Sequence, residues 1–239
     1  MMQLTYLTFT APRRDDDAFA SYKNRSKAEL QNMDLDPSSS FSDSITSTLY
    51  SKHPRTLRIK ADMVDKMNYD KILSMYQDRF KDASDFTFIL VGNVDVEAVK
   101  PLIESYLGSL PSINRKETFK DNHIAMRKGI CKNEFIRQQE TPKVNNFICY
   151  SGTCKYNLRN EILMSMTDQL LNFIYTEKVR EDEGGTYGVY PMGQLIKYPT
   201  EKAVLQIFFN TAPDKQEKLI KSSTTKQKPL QRTVPMKPV

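Results

Sequence analysis

Between Asn68 and Thr211 the chain alternates runs of helical period with short apolar runs closed by Gly, Pro or Asn, and that alternation admits only helices laid on a sheet. Tyr69, Ile72, Leu73, Tyr76 and Phe80 recur at helical spacing, and Phe86–Val91 then reads as a buried strand ending at Gly92-Asn93. Asp95 is placed to cap the next helix, whose Val96, Val99, Leu102, Ile103, Tyr106 and Leu107 share a face. Pro101 inside that pattern predicts a kink or a late start. Strand-like runs follow at 130–138 and 146–152, then a long helix over 158–179 with Ile162, Met166, Leu170, Phe173 and Ile174 as its core stripe. Strands over 186–198 and 203–211 lead to another helix start at Asp214. The fold class expected is α+β, a mostly antiparallel sheet with helices packed on one face.

The first residues carry a different pattern. Leu4, Tyr6, Leu7 and Phe9 alternate into Ala11-Pro12 as a strand would, and Asp15, Asp16 and Asp17 open a helix that Pro37 and Ser38–Ser40 interrupt before a second one with Phe41, Ile45 and Leu49. These elements have too few partners for a core of their own. Residues 1–65 therefore read as the end of a preceding, truncated α+β domain, and 66–221 as an incomplete carboxy-terminal one. Residues 222–239 lose all periodicity and read as a non-native, frameshifted tail or a disordered basic one.

Charge and cofactor residues narrow the chemistry. The net charge is +6, but residues 214–239 hold seven Lys or Arg against two Asp or Glu, leaving 28 against 27 elsewhere. The body is neutral, and the basic tail lacks aromatics for base stacking, which argues against a nucleic-acid partner. No apolar run is long enough to span a membrane. Cys131, Cys149 and Cys154 have no metal or redox spacing, and buried free thiols are expected. The two histidines, His53 and His123, stand in loops seventy residues apart with no glutamate at helical spacing, so no metal ligand set is expected in this chain.

Two segments carry a family resemblance. Phe80–Asp95 with its continuation Pro101–Pro111, and Val179-Arg180-Glu-Asp-Glu-Gly-Gly-Thr-Tyr187-Gly-Val189, resemble the carboxy-terminal half of pitrilysin/insulinase-type zinc metallopeptidases, and bacterial members most closely. The resemblance reaches to about Lys221 and includes Ala11-Pro12-Arg13 and Lys52-His53-Pro54-Arg55. It implies an incomplete LuxS/pitrilysin-like metallopeptidase domain and a fragment of a zinc-dependent endopeptidase, inert alone. Zinc would belong to the complete parent enzyme, since His-x-x-Glu-His is missing here. The implied partners are a peptide substrate and the missing amino-terminal catalytic half or a catalytic partner chain. The implied compartment of the parent is extracytoplasmic, the periplasm.

The resemblance assigns Arg180 to substrate binding and Tyr187 to substrate binding with oxyanion stabilisation in the complete enzyme. A tyrosine hydroxyl can donate to a carbonyl oxygen as negative charge develops on it, and an arginine fork can hold substrate carbonyls. Gly184-Gly185 allow the tight turn between the two. By residue type alone, Arg180 reads first as a helix-end cation and Tyr187 as a packed strand aromatic, and the family resemblance reverses that order. A non-catalytic paralogue or subunit, binding substrate or scaffolding a peptidase complex, is the alternative reading.

Overall fold

The computed structural model of the chain describes residues 1–175, 188–217, 220 and 237–238. They form two compact units, residues 1–35 with 59–120 and residues 36–58 with 121–239.

The first unit is helical. Its elements are α1 (Met2–Thr10), α2 (Asp16–Leu35), α4 (Ala61–Asp65), α5 (Tyr69–Phe80) and α6 (Val96–Leu102), with α3 (Pro37–Leu49) belonging to the second unit. Side-chain caps fix several starts: Asp15 accepts from the Ala18 N–H at 2.9 Å, Asn68 from Lys71 at 2.9 Å, and Asp95 from Glu97 and Ala98. Directly after Pro101 the backbone widens into a π-helical turn, Ile103–Leu107, closed by the Gly108 N–H on the Ile103 carbonyl. The helix thus starts ahead of Pro101, at Val96, so the late start is not the outcome; the change after the proline is this widened turn.

Two strands read from the sequence are absent here. The Leu4–Phe9 run is the helix α1, in which Tyr6 meets Tyr106 edge-on and Phe9 meets Phe80 and Phe86, an i, i+3 pair that a helix places on one face and a strand would split between two. Its threonines suit the helix too, since Thr8 and Thr10 return their hydroxyls to the carbonyls four residues back. Phe86–Val91 lies outside any sheet, with Ile89 80% and Val91 91% exposed. Phe86 and Phe88 join the Phe9 and Phe80 rings, and that aromatic cluster takes one side of the segment.

The second unit holds the sheet. Its strands are β1 (Val144–Thr153), β2 (Val189–Ile196), β3 (Lys202–Thr211) and the short β4 (Lys237–Pro238), in the order β2-β3-β1-β4 with every pairing antiparallel. The register sets Ile148 opposite Ile207 and Val189 opposite Phe209. The helix α7 (Leu158–Tyr175) packs on one face, where Leu171 and Tyr175 join Val189, Leu205, Ile207 and Phe209. Full burial of such a side chain stabilises by roughly 1.5–3 kcal/mol. The α+β class holds, but the buried face of α7 is not the expected stripe. Met164, Thr167, Leu171 and Tyr175 face the sheet, while Ile162, Met166, Leu170 and Phe173 are exposed. Both faces are apolar, so periodicity alone chooses neither. The run 130–138 is also irregular rather than a strand, because Asn133 is tied to α3, donating to Ser44 and Thr48 at 2.7 and 2.9 Å.

Candidate functional site

The segment that carries Arg180 and Tyr187 lies between α7 and β2, and both residues fall outside the described residues. Its two flanks are described, and they share one core. Tyr175, the last residue of α7, is fully buried, and Val189, the first of β2, is buried in the same cluster. Helix and strand are further joined by a hydrogen bond from the Gly193 N–H to Asp168 Oδ1 at 3.1 Å. β2 can spare that N–H because it is the edge strand of the described sheet, and Pro191, which has none, sits there for the same reason. A Cβ on Gly193 would meet Met164 Sδ at 2.6 Å, so the buried Met164 side chain occupies the space a side chain at 193 would need. Sequence reasoning passed over Asp168 and Gly193, although a glycine within a strand pattern is itself a mark of close backbone approach.

The sheet face turned away from α7 is aromatic at this end. Tyr190 stacks on Phe208 with centroids 6.5 Å apart, Phe41 of α3 lies 6.1 Å from Phe208, and Met192 stands exposed beside them. This surface is apolar, with Tyr190 and Met192 exposed on it. It carries no acid–base pair among the described residues.

The described cysteines and histidines supply no alternative chemistry. Burial pushes the Cys149 thiol up to about 11, and burial followed by Glu201 raises that of Cys154, so neither is a thiolate nucleophile at neutral pH. Cys131, expected to be buried, is exposed, because the 130–138 run lies outside the sheet. His53 Nδ1 accepts from the Arg55 N–H at 3.3 Å, and His123 pairs with Asp121. No group of three or more His, Cys, Asp or Glu is gathered among the described residues, so they do not fit a zinc ion. No described helix is long and apolar enough to cross a membrane.

Residues 66–233 match the family model described as the peptidase M16 inactive domain. The chain belongs to the M16 peptidase family. It is 23% identical over 226 residues to Probable zinc protease PqqL of Escherichia coli K12, an alignment that takes in 91% of this chain and 23% of PqqL. The crystal structure of that periplasmic protease superposes with a TM-score of 0.76 at 20% identity, over 94% of this chain and 24% of PqqL. The ferredoxin protease FusC, solved in complex with Arabidopsis ferredoxin, gives 0.74 at 15% identity over 94% and 24%. An M16 inactive domain from Pseudomonas fluorescens gives 0.67 at 18% identity over 95% of this chain and 55% of its own. This M16 chain thus spans about a quarter of the length of PqqL.

Proposed function

We propose that this chain forms the substrate-holding part of an M16 zinc endopeptidase and does not cleave peptides by itself. The match of residues 66–233 to the family's inactive domain carries this reading. The sequence, which contains no His-x-x-Glu-His, agrees with it. Residues 1–65 are taken as the end of a preceding domain and 66–221 as the carboxy-terminal one. Arg180 holds substrate carbonyls through its N–H fork. Tyr187 donates to the carbonyl oxygen where charge builds up during attack. Zinc and the activated water are assigned to a catalytic half outside this chain, in a periplasmic parent like PqqL.

The test is a pair of measurements on the purified chain with zinc present, one of hydrolysis of a fluorogenic peptide and one of binding of the same peptide by anisotropy. Binding without hydrolysis is expected, with Arg180→Ala weakening it about tenfold, as for a lost hydrogen bond to a charged group. Zinc-dependent turnover by this chain, or unaltered binding in the Arg180→Ala variant, overturns the proposal. In a parent enzyme carrying the same signature, the change corresponding to Tyr187→Phe should lower kcat more than it raises KM.

A further inference from the structure

Away from the Arg180–Tyr187 segment, the second unit contains a cavity of about 390 Å³ lined by Ser47, Thr48, Ser51, Lys52, Arg127, Cys131, Lys132 and Asn133. Three cationic and three hydroxyl residues line it and no carboxylate does; the Ser47 hydroxyl donates to the Ser44 carbonyl at 3.0 Å, and Thr48 Oγ1 accepts from Asn133 with its own proton left to give. Among the described residues none of the three cations is in an ion pair. Lysine or arginine beside a helix end commonly serves its last carbonyls. That duty is already filled at the end of α3. The Thr46 carbonyl accepts from Tyr50, Ser47 from Lys52 at 2.8 Å, Thr48 from Ser51, and Leu49 from the Arg127 backbone at 2.6 Å. Lys52 and Lys132 therefore keep their charged side chains for something else, while the Arg127 guanidinium donates to the Cys131 sulfur at 3.4 Å across the lining.

We propose that this cavity binds a small phosphorylated molecule. A carboxylate offers two oxygens and one charge, whereas a phosphoryl group offers more acceptors and up to two charges, which suits three cations and three hydroxyls better. The cavity is open to solvent, with Ser51, Lys52, Arg127, Cys131, Lys132 and Asn133 exposed around it, and its volume exceeds that of one phosphate. Its lining has no aromatic side chain on which a nucleobase would stack. The ligand is thus a pyrophosphate-like or sugar-phosphate-like compound. Asn133, held on Ser44 and Thr48, and the Arg127 backbone on Leu49 fix the two walls before a ligand arrives.

Inorganic pyrophosphate, titrated calorimetrically into the full chain at near-physiological salt, tests this. One saturable site is expected, weakened about tenfold in Arg127→Gln and in Lys52→Gln/Lys132→Gln, as for lost charge-assisted bonds. The backbone bond of residue 127 to Leu49 survives in both variants, and the second leaves the Arg127 side chain in place if the first folds poorly. Cys131 is the exposed thiol and lies within the cavity, so pyrophosphate should slow its alkylation by iodoacetamide in the unaltered chain alone. Absence of saturable binding, binding unchanged in both variants, or unslowed alkylation overturns the site. Citrate bound as tightly as pyrophosphate overturns the phosphoryl assignment, and adenosine monophosphate bound tenfold more tightly than inorganic phosphate overturns the exclusion of a ring.

Discussion

The sheet of the second unit and the Phe86–Val91 segment of the first are built from the same kinds of residue and end in opposite conditions. β3 offers Val204, Ile207 and Phe209, all buried, while Phe86–Val91 leaves Ile89 and Val91 in solvent. The difference is partners. β3 has β1 on one side and β2 on the other, and α7 over one face. The segment in the first unit has ring contacts to Phe9 and Phe80 and belongs to no sheet. A strand is a pairing, and local pattern supplies only half of it.

The largest effect of a truncation that can break this contrast is in the sheet core. Leu171→Ala should cost about 2–5 kcal/mol in urea unfolding, because it opens a cavity against Val189, Leu205 and Ile207. Phe173→Ala, two residues on and 67% exposed, should stay within about 0.5 kcal/mol. If Phe173 proves the costlier site, α7 packs on the stripe first read from its sequence.

That reversed face shows which parts of this fold were legible. Caps such as Asp95 were readable because they close within three residues, on local backbone. β1, β2 and β3 were readable because buried alternation survives wherever a partner exists. The face of α7 was not, since Ile162, Met166 and Phe173 make as good a stripe as Met164, Leu171 and Tyr175, and the sheet decides between them. Arg180 and Tyr187 came from resemblance to a family and not from periodicity. The cationic cavity was illegible because its walls, 47–52 and 127–133, stand far apart in the chain.

Next in size is the contact that fixes helix to edge strand. Gly193→Ala should destabilise by about 1–3 kcal/mol, since the new methyl meets buried Met164. Adding Met164→Ala should recover part of that loss in a double-mutant cycle. Strict additivity would mean the two residues do not touch.

The first unit has its own fixed point in Asp82. Burial opposes its ionisation, but N–H groups of Ser84, Arg115 at 2.6 Å and Ile113 at 3.0 Å outweigh that and hold the carboxyl well below its usual range. A depressed folded pKa gives stability that is fully present above the unfolded value, near 4, and is lost as the pH falls through the folded one. Asp82→Asn should therefore lower the melting temperature at pH 7 and flatten its decline in acid. Equal losses for both proteins at every pH would remove Asp82 from the cause.

The smallest expected effect bears most directly on the contrast between the two regions. Ile89→Lys replaces an exposed apolar residue in a segment with no sheet partner, and a charge there remains in water. The cost should stay within about 0.5 kcal/mol. Ile207→Lys, in contrast, puts an ammonium into the fully buried centre of the sheet and should prevent folding. The two substitutions are chemically identical and both fall in apolar, strand-like sequence, so propensity predicts similar outcomes for them. Only partnering separates them. Should Ile89→Lys cost as much as a core truncation, then Phe86–Val91 is buried against another strand in solution, as its sequence pattern reads, and the contrast with β3 disappears.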